Sequence, residues 1–233
     1  HCGLVGSEMC IRDRIMDNDL MRLRAQIDLV DQQLLDLLSR RLKMAEKVAE
    51  VKPNGASVFR PDREAQLLAR LCAAADPQLQ PVIIAVWRAV ISASIARQYP
   101  DFTILMTDES EQTARLFAAG QLSVKQTGMP LELCHQLAIG AADIGIVEAD
   151  ELNSIYSQLG LDQPVKIIAG LPLLRPPDTI PTAFILGTQL PDKTTQDRLV
   201  TYDERQRTIE LAPVAEENLP SDRSVLGICT LIG

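Results

Sequence analysis

Between Asp19 and Val51 the apolar residues Leu23, Ile27, Val30, Leu34, Leu38, Leu42, Ala45 and Val48 recur at steps of three and four, the spacing of one helical face. At 1.5 Å per residue the predicted helix is about 50 Å long, more than a compact small domain needs, so it wants a partner of similar length. "KPNGAS" breaks it, because Pro53, Asn54 and Gly55 all favour turns. "RPDREAQLLARLCAAA" reads as a second helix, with Pro61 in its opening turn and Asp62 and Glu64 placed to complement the helix dipole. After "DPQLQP" a third, "VIIAVWRAVISASIARQ", is ended by Tyr99-Pro100. Residues 16–100 are therefore expected to be all-α: long, short, long.

Beyond Pro100 the pattern shortens. "FTILMT", "DIGIVEA", "VKIIAGLPLL" and "TAFILGTQ" are brief apolar runs with β-branched residues, alternating with the helical stretches "ESEQTARLFAAG" and "PLELCHQLAIGA". That alternation predicts a small α/β domain over 101–233, and "VLGICTLIG" reads as a last strand or a truncated end. At the other end, "HCGLVGSEMCIRDR" follows neither periodicity and resembles translated adapter sequence. Residues 1–15 are expected to be a tail without function, the protein proper starting near Met16.

Charge complicates the first helix. Arg40, Lys43 and Lys47 lie opposite its apolar stripe, an ordinary wet face, but Arg24, Asp31, Arg41 and Lys52 fall within or beside the stripe. A charge there is costly unless paired. Pairing inside a helix bundle suits Asp31. Arg41 and Lys52 share nearly one face, separated by about 16 Å along the axis, and could grip one small dianion between them. Arg24 is about 25 Å from Arg41 and rotated by roughly 100°, so it could serve the same ligand only from another subunit. Ser94 and Gln98, spaced i,i+4, share a face of the third helix.

Composition narrows the partners. A chain of 233 residues, 46% hydrophobic and 23% charged, is an ordinary soluble one. No run approaches 18 apolar residues and no secretory leader is evident, so no membrane partner and a cytoplasmic location are expected. The net charge of −8 divides unevenly: residues 1–100 hold 14 Lys/Arg against 12 Asp/Glu, and 101–233 hold 9 against 19. The first part is the plausible host for an anion, and the acidic second part argues against nucleic acid. Five scattered cysteines, without a CxxC pair, point to reduced, mostly buried thiols rather than a zinc site or disulfides. HExxH, GxSxG, P-loop and GxGxxG motifs are absent. A helical site rich in cations, with no cofactor, suits chemistry that needs only restraint and charge stabilisation.

"LRAQIDLVDQQLLDLLSRR", "AEKVAEVK", "FRPDREAQLL" and "ISASIARQ" together resemble the AroQ-type (helical) chorismate mutase domain, in the form fused to prephenate dehydratase in bacterial P-proteins. The resemblance covers residues 20–98 in order. It implies an intertwined all-helical homodimer that rearranges chorismate to prephenate without cofactor or covalent intermediate. Carried over residue by residue, it makes Arg24 a carboxylate ligand reaching across the dimer interface and Arg41 the in-chain one. Lys52 would contact carboxylate and ether oxygen, and Gln98 would be the second donor to that oxygen. Glu64 would take the substrate hydroxyl, with Arg63 and Ser94 as neighbouring polar positions. Where several relatives carry an aspartate near the second helix start this chain has Arg60, which is left out of the core set.

Residues 101–190 more faintly resemble a shortened prephenate dehydratase domain, through "LAIGAADIGIVEADELNS" and "TAFILGTQLPDKT". The departures matter: Ala183 follows Thr182 where that family has arginine, the acidic-Asn-Ser cluster is displaced, and no glycine-rich opening motif is present. Three readings follow: a monofunctional mutase with a degenerate appendage, a bifunctional mutase–dehydratase, and a non-enzymatic helical dimerisation module with a ligand-sensing domain.

Overall fold

The computed structural model describes residues 5–52, 57–159, 164–174, 179–190, 197–203, 208–213 and 223–230. It forms two compact units, His1–Val48 and Ala49–Gly233.

The first unit is a single helix, α1 (Val5–Val51), whose last residues belong to the second. It starts at Val5 rather than Asp19, because residues 5–18 contain no proline and extending a formed helix costs far less than nucleating one. The periodic stripe lies exposed: Leu23 at 57%, Ile27 at 58% and Leu34 at 51%. Arg24 and Asp31 are exposed as well, while Arg41, Leu42 and Ala45 are half-buried.

The second unit opens with α2 (Pro61–Ala73), which has proline in its first turn with Asp62 and Glu64 beside it. A short 3-10 turn, Pro77–Leu79, leads into α3 (Gln80–Gln98), which stops where Tyr99 leaves helical geometry ahead of Pro100. There follow β1 (Thr103–Met106), α4 (Glu111–Ala118), β2 (Ser123–Gln126), α5 (Pro130–Ala138), β3 (Ile144–Glu148), α6 (Glu151–Leu159), β4 (Lys166–Leu171), β5 (Ala183–Gly187), β6 (Asp197–Asp203), β7 (Thr208–Pro213) and β8 (Arg223–Thr230). The strands form one mixed sheet in the order β2-β1-β3-β5-β4-β8-β6-β7. Strands β1, β2 and β3 are mutually parallel around β1, and β5 runs antiparallel to β3 and β4. "VLGICTLIG" thus contributes a strand, with its last three residues outside the described ones.

Both sheet faces are covered, which is why the inner strands read as unbroken apolar runs rather than alternating ones. Ile104, Met106 and Ile185 point to a core shared with Ala65 of α2, Ile91 and Ile95 of α3 and Phe117 of α4. Leu105, Val147, Phe184 and Leu186 point to a second core under α5 and α6. Because α2 and α3 pack into the sheet's own core, the compact units divide at Val48/Ala49 and not at the change of texture near Pro100. Elements β2, α6, β6 and β7 were not legible in the sequence. Strand β2 lies at the edge with mostly exposed side chains, so it carries little apolar signal.

Gly227 marks the tightest approach. It pairs with Ile167 across β4 and β8, and a Cβ at this position would run into the Ile167 carbonyl. Pro77–Gln98 is by length and composition apolar enough to cross a membrane, which the sequence reading did not anticipate. Its second half packs within the protein, with Ile91, Ser92, Ser94 and Ile95 buried and Arg88 paired with Glu64, whereas Val82, Ile84 and Val86 in its first half are exposed. Cys72 and Cys134 are free and buried, as expected, and burial pushes the Cys134 thiol up to about 11.

Candidate functional site

Lys52 follows directly on the last residue of α1. Its Nζ donates to the Ser57 carbonyl at 3.0 Å, and Ser57 Oγ donates to the Phe59 carbonyl at 2.8 Å. Phe59 is buried and anchors the chain as it enters α2. Burial, then repulsion from Arg60 and Arg63, hold the Lys52 ammonium below the ordinary lysine range. Arg60 turns back on Asp62 through Nε (3.0 Å) and Nη2 (2.8 Å). Burial pushes the Asp62 carboxyl up, but the hydrogen bond and charge of Arg60, with backbone N–H groups of Arg63 and its own, hold it below its ordinary value. Lys52, Arg60, Asp62 and Arg63 together leave two positive charges in excess at the start of α2. Arg60, outside the core set that the resemblance implies, has a local partner, for which the Arg-x-Asp spacing is the signal, and a place beside Lys52.

Helix α3 supplies the polar side chains of its last turns. Ser94 is buried and donates to the Val90 carbonyl at 2.7 Å, while Gln98 Nε2 donates to the Ser94 carbonyl at 3.2 Å. The two lie one turn apart, as their spacing predicts. Glu64 is buried on α2 and accepts from Arg88 Nη1 at 2.6 Å and, at the margin of hydrogen bonding, from Nη2 at 3.5 Å. Arg88 is a residue the sequence reading missed; no local pattern links positions 24 apart. Arg63 is exposed. Arg24 and Arg41 belong to the first unit and are carried by α1. The structure thus brings Lys52 together with Arg60 and Arg63, joins Gln98 to Ser94, and gives Glu64 a cationic neighbour.

At the carboxyl ends of β1 and β3 lies a different polar cluster. Thr107 donates to Glu151 (2.9 Å), which also accepts the Glu148 N–H (2.8 Å); Thr113 donates to Glu148 (2.6 Å), and Ser110 donates to the Ile146 carbonyl (2.6 Å). Burial, with the charges of Asp150 and Glu109 adding to it, pushes the Glu151 carboxyl up despite those hydrogen bonds. Ala183 is fully buried in β5 between Glu148 and Leu171, a position with no room for an arginine. The cluster is acidic and internally bonded, the opposite of a seat for a dianion.

Residues 23–99 match the family described as chorismate mutase type II. A T-protein of Enterobacter agglomerans is 50% identical over 52 residues, 22% of this chain and 14% of that protein. Proteins named bifunctional chorismate mutase/prephenate dehydratase, from Stutzerimonas stutzeri and Pseudomonas aeruginosa, are 27% and 30% identical over 143 and 144 residues, 57% of this chain and 39% of each relative. Those two alignments are longer than the family match, so the similarity runs on past the helices. The chain spans at most about two fifths of the length of these curated relatives. No solved structure matches it. The match to the chorismate mutase type II family lies over residues 23–99, the stretch that holds most of the long first helix and the cationic entry to α2.

Proposed function

We propose that this protein is a chorismate mutase, converting chorismate to prephenate by an intramolecular rearrangement that feeds aromatic amino acid biosynthesis. The observation that carries the reading is the excess positive charge formed by Lys52, Arg60 and Arg63 around a half-buried ammonium, within the segment that matches the family. Chorismate is a dianion, and binding it would offset the burial and the repulsion that hold Lys52 low. The reaction needs the substrate held in a compact conformer that it populates poorly in water, and clamps on both carboxylates supply that restraint. As the ether C–O bond breaks, negative charge grows on its oxygen. Lys52 and Gln98 would stabilise it more in the transition state than in the ground state. Arg41 takes a carboxylate in this reading, Glu64 the hydroxyl, and Ser94 and Arg63 flank them.

The exposed stripe of α1 supports a second copy as partner: a helix this long, with leucine and isoleucine facing outward, gains its stability from packing. In that homodimer Arg24 would reach the neighbouring site. Dehydration of prephenate is the weaker reading, because the corresponding cluster is acidic and Ala183 stands where a cation would be required. The test is a direct ultraviolet assay of chorismate loss with the purified chain. Wild type is expected to consume chorismate and Lys52→Gln to lose about 1,000-fold in kcat/KM with the helical circular dichroism unchanged. An inactive wild type, or a fully active Lys52→Gln, rules the reading out; phenylpyruvate formed from prephenate would restore the bifunctional one.

A further inference from the structure

Arg88 is engaged from three elements at once. On its own helix its Nε donates to Ser92 Oγ at 3.2 Å. Its guanidinium carbon lies 4.2 Å from the centre of the Phe117 ring of α4, and its Nη1 donates to Glu64 of α2 at 2.6 Å. The ring is itself held in place. Ser92 Oγ donates to the Phe117 carbonyl at 3.1 Å, and Phe59 meets the ring edge-to-face at a centroid distance of 5.7 Å. The Glu64–Arg88 pair is mostly buried, at 8% and 14% side-chain exposure. An ion pair so placed is weak as a source of stability, since desolvation offsets much of its attraction and an apolar pair of like volume would do as well. What it does supply is direction: a planar fork gripping a carboxylate fixes where that carboxylate points.

We propose that Arg88 is a positioning residue for the mutase reaction, holding the Glu64 carboxylate aimed to accept the substrate hydroxyl, with Phe117 of the sheet region fixing Arg88 in turn. The inference rests on the mutase reading and on the role of Glu64 within it. It gives the sheet region a part in the chemistry: α4 backs the arginine that backs the glutamate, so the helical segment does not carry its site alone.

The test is a double-mutant cycle in the full chain, read as kcat and KM for chorismate, with thermal midpoints measured alongside. Arg88→Met is expected to lower kcat/KM about tenfold, Arg88→Lys to recover part of it, and Arg88→Met to change little in the Glu64→Gln background. If Arg88→Met fails to fold, Phe117→Leu, which keeps an apolar side chain but removes the ring beneath the guanidinium, carries the cycle with an expected loss of about threefold that also vanishes in the Glu64→Gln background. Losses of equal size in the wild-type and Glu64→Gln backgrounds would overturn the inference, since Arg88 and Phe117 would then act only on the fold. Unchanged kinetics in every variant would overturn it too, while leaving the mutase reading standing. A wild-type chain that consumes no chorismate overturns both.

Discussion

Ile27 and Ile104 are the same side chain in opposite circumstances: one lies 58% exposed on α1, the other is fully buried in β1. The sheet region resolves its hydrophobic pattern internally, with helices on both faces of β1, β3, β4 and β5. Helix α1 presents its stripe outward over most of its length and is a compact unit by itself. The inner strands are covered within a single chain, whereas the stripe of α1 is left exposed. Fully burying one such side chain is worth roughly 1.5–3 kcal/mol, so the stripe as a whole is a large unspent driving force for association. Charged residues follow the same division. In the second unit Arg88 and Arg60 have carboxylate partners within the chain, whereas Arg24 lies exposed on α1.

The sharpest way to break this comparison is to charge the stripe. Ile27→Asp combined with Leu34→Asp is expected to weaken self-association at least ~100-fold, measured by sedimentation, and to cost much of the helical signal, while the sheet region keeps its own thermal transition. A wild-type chain that sediments as a monomer would remove the reason for the contrast altogether. The converse change strikes the sheet. Gly227→Ala forces a Cβ against the Ile167 carbonyl and should destabilise by about 1–3 kcal/mol, lowering the thermal midpoint by several degrees while leaving self-association intact. A smaller effect sharpens the electrostatic side. Lys52 must be charged to hold an anion, and its proton is lost at lower pH than usual because burial, Arg60 and Arg63 disfavour the charge. On the proposed mutase reading, chorismate consumption should therefore fall as pH rises through that depressed value. Arg63→Gln removes one repulsive cation, so the alkaline limb of kcat/KM should move to higher pH. A limb that stays in place would detach Arg63 from Lys52.

Much of the architecture is carried by local pattern. The three- and four-residue spacing of α1, the Pro61 and Asp62 start of α2, the Tyr99-Pro100 stop of α3 and the apolar runs of β1, β3, β4 and β5 each state their element within a few residues. Strands β6 and β7 do not, because each is defined by pairing with the other and with β8 more than by its own composition. The candidate site divides likewise. Ser94 and Gln98 were legible as a pair because four residues is about one helical turn. The neighbourhood of Lys52, Arg60 and Arg63 was half legible: a charge close to an apolar stripe and the Arg-x-Asp spacing were visible, but no helical spacing states that the Ser57 carbonyl holds Lys52.

By itself the sequence determined helices α1 to α5, the inner strands and the separation of a cation-bearing front from an acidic rear, which are read from composition and from near neighbours in the chain. Only the tertiary structure decided that α2 and α3 share the sheet's core, that Ala183 is sealed where a cation would be needed, and that Glu64 meets Arg88 under Phe117. Those facts join residues tens of positions apart. No periodicity encodes such a pairing; it exists only once burial has made an unpaired charge too costly and has brought a partner within reach.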